Sequence, residues 1–229
     1  SWNFNCSMIE LKNIRHWIFD LDNTLYPSTT NLFDKIDALM CKFIEDNLNV
    51  SRPEALKIKD SYFHQHGTTL NGLMQNHNIN AEKFLDFVHD IDYSLLTEDA
   101  ALGEQIQKLP GEKIIFTNGT RKHAQQVMKR LGIERNFNKI FDIVDANFIP
   151  KPQIEPYHAL IATHSINAQN SIFIEDIAKN LLPAHELGMK TAWIENSDSY
   201  CKQGYDGKHV HYTIKNLTDF LKKINQSIN

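Results

Sequence analysis

The chain has 229 residues, 41% of them hydrophobic and 23% charged, with 24 Lys and Arg against 28 Asp and Glu for a formal net charge of -4. That length buries one substantial core with at most a smaller appended lobe, and the composition is that of an ordinary soluble globular protein. The acidic balance excludes a general electrostatic grip on nucleic acid, which needs basic residues massed on one face, so any phosphate is bound locally.

At the N-terminus, SWNFNCSMIELKN is neither a long apolar run nor a basic stretch leading into one. No export signal or membrane anchor is expected, and residues 1–8 are read as a flexible leader. The cysteines, Cys6, Cys41 and Cys201, are far apart and form no CxxC pair. Neither a zinc knuckle nor a disulfide framework is supported, and a reducing, cytoplasmic setting fits best.

Short apolar runs bounded by polar turns recur at HWIFD (16–20), KIIFT (113–117), IFDIVD (140–145), SIFIE (171–175) and KTAWI (190–194). Runs without polar alternation predict strands covered on both faces, as in a parallel sheet. Helical patterns lie between them: residues 120–131, which stop at Gly132, then 155–164, 177–187 and 216–224. This alternation predicts an α/β fold, a doubly wound, Rossmann-like parallel sheet. Residues 28–102 break the pattern, with Leu32, Ile36, Leu39, Met40 and Phe43 on a helical period and no convincing strand. The expected organisation is a core of residues 9–27 and 103–229, with an inserted all-helical domain at 28–102.

In such a sheet, ligands occupy the crevice beyond the carboxyl ends of the strands. The first strand ends in Asp20 and Asp22, the second in Thr117, Asn118 and Gly119, and the fourth in Glu175 and Asp176; Lys151 follows the third, within IPKPQIEP. Carboxylates beside one lysine make a poor anion pocket until a Mg2+ ion, held by one or two of them, reverses the balance. An aspartate can then attack phosphorus, a second can move the proton, and the lysine with a hydroxyl and a glycine turn can stabilise the transferring group. Taken singly, each residue has a plainer reading: aspartates suit turns, FTNG suits a capped helix start, and a lysine between prolines suits a solvated loop. The convergence of four strand ends favours chemistry.

These residues resemble the motifs of the haloacid dehalogenase superfamily of phosphatases. DLDNT (20–24) is similar to its DxDxT, FTNG (116–119) to its second motif, Lys151 before Pro152 to its third, and IEDIAKN (174–180) to its acidic fourth. The resemblance implies Asp20 as nucleophile and Asp22 as general acid/base, with the Asp22 backbone carbonyl on Mg2+. It also implies Thr117 and Asn118 on the phosphoryl group, Lys151 offsetting its charge, Asp176 completing the metal site, and the helical insertion as a cap. The fourth motif departs from the usual DDSxxN, with Glu175 and Ile177 in place and Asp176 and Asn180 kept. The missing hydroxyl at Ile177 is expected to alter the local metal geometry.

Four stretches, NTLYPSTTNLFDKI (23–36), HGTTLNGLMQNHNI (66–79), FVHDIDYSLL (87–96) and KIIFTNGTRKHAQQVMKRLGI (113–133), look like the pyrimidine 5'-nucleotidase branch. The substrate implied is a small phosphorylated metabolite, a nucleoside monophosphate such as UMP or CMP, met on the cap side by His66 and Thr69. A sugar phosphate, a phosphoglycolate-like acid, a dehalogenase activity or a catalytically silent binding fold remain as alternatives, and the chain is expected as a monomer or homodimer without nucleic-acid or membrane partners. HQH (64–66) and HVH (209–211) lack a third ligand nearby in sequence and are read as packing or surface residues. Phe33, Phe43, Phe84 and Phe87 are read as core of the helical insertion.

Overall fold

The structure is a computed structural model that describes residues 8–229. The expected leader lies outside the described residues up to position 7, as does Cys6; the described chain opens with a short 3-10 helix, Met8–Asn13. The elements then run β1 His16–Phe19, α1 Leu32–Leu48, α2 Arg52–His66, α3 Thr69–Asn76, α4 Ala81–Val88, α5 Ala100–Lys108 and β2 Glu112–Phe116. They continue with α6 Arg121–Leu131, β3 Lys139–Phe141, α7 Ile154–His164, β4 Ser171–Glu175, α8 Leu181–Glu186, β5 Lys190–Ile194, α9 Ser199–Lys202, β6 Tyr212–Ile214 and α10 Leu217–Ile228. Among the described residues, no helix is long and apolar enough to cross a membrane.

The six strands form one parallel sheet in the order β3-β2-β1-β4-β5-β6. Alternation along each strand sends side chains to two separate cores. Trp17, Phe19, Ile115 and Ile174 face a cluster closed by α5, α6 and α10. Ile18, Ile114, Phe116 and Phe173 face the other, closed by α7 and α8. The connections run outward from β1 to β3 and then cross back to β4, so β1 and β4 flank the point where the winding reverses. Crevices open there.

Three expectations need correction. The third strand is not 140–145 but stops at Phe141, because Asp142 and Asp145 exchange side-chain-to-backbone bonds, Asp145 N to Asp142 Oδ1 at 2.9 Å and Asp142 N to Asp145 Oδ2 at 3.0 Å, which turn the chain. The segment 177–187 is not one helix but a 3-10 turn, Ala178–Asn180, leading into α8, whose Pro183 sits in the first turn where no intrahelical donor is needed. The edge strand β6 was not foreseen; its three residues are too short a run to register as periodic.

Helices α1–α4 bury an apolar cluster of their own, centred on Ile36, Phe43, Ile44, Leu73, Phe84 and Val88, with Phe43 edge-on to Phe84 at 5.1 Å. Phe33 and Phe87 are only partly buried against it. By contrast Leu96 and Leu102 belong to the sheet-side cluster, and α5 packs on α10, so a boundary after residue 102 falls inside α5. The helical unit meets the sheet where Ile143, just after β3, enters its cluster, and at Gly67, where φ is +82° and an added Cβ would stand 3.0 Å from the Lys151 carbonyl oxygen. Glycine is required at Gly67 on both counts.

Candidate active site

Four chain segments leave the carboxyl ends of β1, β2, β3 and β4 and meet around Lys151. Its side chain is 1% exposed, and Nζ donates to Asp20 Oδ1 at 3.0 Å, Glu175 Oε1 at 3.2 Å and the Phe116 carbonyl at 2.8 Å. The ammonium also lies 4.9 Å from the Phe116 ring centroid and 5.4 Å from that of Phe173. The loop that carries it is pinned by Asn118, whose Oδ1 accepts the Lys151 backbone N–H at 2.9 Å and whose Nδ2 donates to the Lys151 carbonyl at 3.4 Å. The Asn118 side chain thus holds the lysine segment. Thr117 Oγ1 accepts the Gly119 N–H at 3.0 Å and shapes the turn between β2 and α6.

Oxygens of Asp20, Glu175 and Asp176, all buried, lie within 4.8 Å of one another. Burial, then the charge of Glu175, pushes the Asp20 carboxyl well above the usual aspartate range despite Lys151, and burial with Glu175 and Asp20 does the same to Asp176. For Glu175, burial is outweighed by Lys151 and by hydrogen bonds, so its carboxyl is held low; burial of Lys151 is outweighed by Asp20 and Glu175, so its ammonium is held high. With all three carboxyls ionised, one ammonium would leave an unbalanced buried charge, which a hard divalent cation would neutralise through oxygen ligands. The bonding says which oxygens are available. Glu175 Oε1 is committed to Lys151 and to Asn180 Nδ2 (2.7 Å), and its Oε2 to the Asp176 N–H (2.9 Å). Asp20 Oδ1 likewise accepts from Lys151 and its Oδ2 from Thr24, and Asp176 Oδ2 accepts from Asn196 Nδ2 at 2.9 Å, so Asp20 and Asp176, each with fewer such bonds than Glu175, are the pair that could hold a cation.

Asp22 stands apart from that cluster. Its Oδ1 accepts from Tyr26 Oη at 2.6 Å and faces His123 Nε2 at 2.8 Å. Burial works to raise its carboxyl, but the charge and hydrogen bond of His123, then Tyr26, hold it below the ordinary aspartate value. Asp20 is reached by Thr24 Oγ1 at 3.2 Å. Of these groups, Tyr26 and His123 escaped the sequence reading. A signal existed for His123: it occupies the third position of the helix that starts at the β2 crevice, and the N-cap Thr120 accepts its backbone N–H.

A cavity of about 560 Å³ opens above these groups, its floor made by Asp20, Asp22, Gly119 and Asp176 and its roof by Asp37, Lys59, Asp60, His64 and Thr69 from the helical unit. Thr69 is there as expected, although its Oγ1 donates to the Lys59 carbonyl at 3.0 Å. His66 is not among the lining residues: its Nε2 lies 3.4 Å from Asn76 Nδ2 and its ring stands edge-on to Tyr62, so among the described residues His64 is the histidine of this stretch that faces the cavity. Ile177 lines the cavity beside the acidic cluster.

Residues 17–194 match the sequence profile of the haloacid dehalogenase-like hydrolases. The chain is similar to phosphate metabolism protein 8 of Saccharomyces cerevisiae, 28% identical over 191 residues, covering 76% of this chain and 59% of the yeast protein, so it spans under two thirds of that relative's length. It is also similar to the glyceraldehyde 3-phosphate phosphatase of Methanocaldococcus jannaschii, 25% identical over 231 residues, covering 91% of this chain and 96% of that one. In fold it is like the Bacillus subtilis HAD hydrolase YfnB, solved bound to magnesium, with a TM-score of 0.56 and 17% identity over 94% of this chain and 99% of the other. The profile spans the sheet from β1 to β5 and every strand end that builds the crevice, and the chain belongs to the haloacid dehalogenase-like hydrolase family.

Proposed function

We propose that the protein is a Mg2+-dependent phosphomonoesterase that forms an aspartyl phosphate on Asp20, with pyrimidine nucleoside monophosphates such as UMP and CMP as substrates. The observation that carries this reading is Asp20 held against Lys151 and beside Asp176, with a second carboxylate, Asp22, two residues on. Asp20 attacks phosphorus; Asp22, ionised in the free site, takes up a proton from solvent on its cavity-facing oxygen as the negatively charged substrate arrives, gives it to the departing oxygen as that P–O bond breaks, and then takes a proton from the water that hydrolyses the aspartyl phosphate. Lys151 and the Gly119 turn hold the phosphoryl oxygens in place. Held by Asp20 and Asp176, Mg2+ would supply charge neutralisation where three carboxylates and a phosphate crowd together. Displacement at a carbon–halogen bond has no use for Asp22, which speaks against a dehalogenase.

Helices α1–α4 act in this reading as the cap. The nucleotide assignment rests on the stretches that resemble the pyrimidine 5'-nucleotidase branch and on a cavity of about 560 Å³, ample for a nucleoside. The two free, buried thiols, Cys41 and Cys201, suit a cytoplasmic enzyme. A smaller sugar phosphate is a second reading, favoured by the name of the archaeal relative. Phosphate release from UMP, CMP, purine monophosphates, glyceraldehyde 3-phosphate and an aryl phosphate, with Mg2+ or with EDTA, decides among them. Turnover of UMP and CMP that EDTA abolishes is expected. Release that survives EDTA defeats the metal requirement, and preference for the triose phosphate defeats the nucleotide assignment.

A further inference from the structure

We propose that His123, together with Tyr26, is a positioning residue for Asp22, both donating to Oδ1 so that Oδ2 alone is presented to the leaving-group oxygen. The inference rests on the phosphatase reading, but its evidence is geometric. His123 enters the site from the first turn of α6, and its side chain is fully buried. Its Nε2 and the Tyr26 hydroxyl converge on the same Asp22 oxygen, at 2.8 and 2.6 Å. Among the described residues no hydrogen bond reaches Oδ2, while Asp22 lines the cavity.

The imidazole cannot turn away. A carboxylate only accepts, so Nε2 carries a proton toward Asp22. On the opposite edge Nδ1 meets the Tyr93 hydroxyl at 2.7 Å, and on one face the His89 ring stacks at 4.2 Å with a 3° interplanar angle. His89 is itself tied to Thr120 Oγ1 at 3.3 Å, the residue that caps the same helix. Two edges and a face are thus fixed by residues from the β1 loop and the segment after α4. An unclamped aspartate would swing about its terminal torsion, and a displacement of about 1 Å at a reacting group costs about 100-fold in rate.

The test uses two substitutions and two leaving groups. His123→Leu removes the donor, while His123→Gln can return an amide N–H near the position of Nε2; both lose the stack on His89 and the hydrogen bond shared with Tyr93. A nucleoside monophosphate has an alkoxide leaving group that needs its proton, whereas 4-nitrophenyl phosphate expels a stable phenolate that hardly does. With Mg2+, kcat and kcat/KM of His123→Leu should both fall about 100-fold on the nucleotide but only about 5-fold on the aryl ester, with KM within about 2-fold, and His123→Gln should regain about 10-fold on the nucleotide. Equal losses on both substrates, or a glutamine variant no better than leucine, would mean His123 merely supports the fold. If the wild-type protein releases no phosphate at all, the phosphatase reading has failed, and the clamp is judged by nitrogen-15 NMR of labelled histidine instead. A slowly exchanging His123 Nε2 proton that disappears in Asp22→Ala supports it; absence of that signal, or indifference to Asp22→Ala, overturns it.

Discussion

The floor and the roof of the cavity handle charge in opposite ways. On the floor, Lys151 is 1% exposed and is held by two carboxylates and a carbonyl that come from three different strand ends. On the roof, Lys59 is 12% exposed and lies between Asp37 at 3.4 Å and Asp60 at 3.0 Å, all three carried by helices α1 and α2, with both carboxylates open to solvent. Coulombic attraction is strong and rearrangement costly in the first setting; in the second, water screens the pairs and the side chains can shift. A floor of this kind suits a fixed reaction. A roof of this kind can be altered to suit a different leaving group without unfolding the sheet beneath it.

The sharpest way to break the comparison is at Asp20. Asp20→Asn should lower phosphate release by about 10000-fold or more, since no carboxylate nucleophile remains. The metal-free protein should nevertheless melt no lower than wild type, because burial and the charge of Glu175 already work against an ionised Asp20. Wild-type turnover in this variant would dismiss the covalent route, and a collapsed melting temperature would show that the Lys151–Asp20 pair is structural. Next comes Lys151→Met, which leaves Asp20 and Glu175 facing each other in a buried site. Removing one partner of a buried pair costs about 3–5 kcal/mol, and the urea midpoint should move accordingly. Mg2+ should recover part of that loss, because the cation offsets the same charges.

That contrast also accounts for what was legible in the sequence. The floor could be read because each of its groups sits one or two residues past an apolar run, and Asp20, Thr117, Glu175 and Asp176 leave parallel strands at the same end of the sheet. Lys151 was readable from its place after the third strand among the other strand ends, although its setting between prolines alone suits a solvated loop; its bond to Glu175 was not, since nothing in spacing says which carboxylate a long side chain will reach. The helical unit showed its apolar period and its existence, yet not which polar residues face inward. His66 and His64 are two residues apart on α2, about 200° around a helix, so a small error of phase exchanges them. His123 went unread for a related reason: its role depends on the first turn of α6 pointing back over β1, a relation of tertiary packing. The third strand was read too long because the Asp142–Asp145 exchange of bonds is local chemistry hidden inside an apolar stretch.

On the roof the expected effects are smaller. Lys59→Met should raise KM for a nucleoside monophosphate by about 10-fold while leaving hydrolysis of an aryl phosphate within about 2-fold of wild type, as expected for a residue that contacts the leaving group and not the transferring phosphoryl. Equal losses on both substrates would place Lys59 in the floor's chemistry and dissolve the distinction. Stability should hardly change, because the pairs Lys59 makes with Asp37 and Asp60 are half in solvent.

The least effect is expected at a histidine that takes no part in either region, and it tests whether a half-buried imidazole outside the acidic cluster behaves differently from the buried floor. His211 Nδ1 accepts the Thr191 N–H at 3.0 Å, so the neutral ring carries its proton on Nε2, and a second proton on Nδ1 would have to break that bond. Burial, then the nearby charges of Lys190 and His185, lowers this imidazole to about 4 from the ordinary 6.5. A folded-state value below that of the unfolded chain means the unfolded chain binds the proton more readily. The stability tied to His211 is therefore complete above pH 6.5 and is lost progressively as the pH falls toward 4. Partial exposure and solvent screening reduce the effect to about 1 kcal/mol. In His211→Asn, the amide oxygen can take over as acceptor for Thr191 while the titration disappears, so the difference between variant and wild-type urea midpoints should widen in the variant's favour between pH 7 and 4.5. Midpoints that fall in parallel would assign the acid sensitivity to other groups, and would leave the crowded floor as the place where burial couples charge to stability.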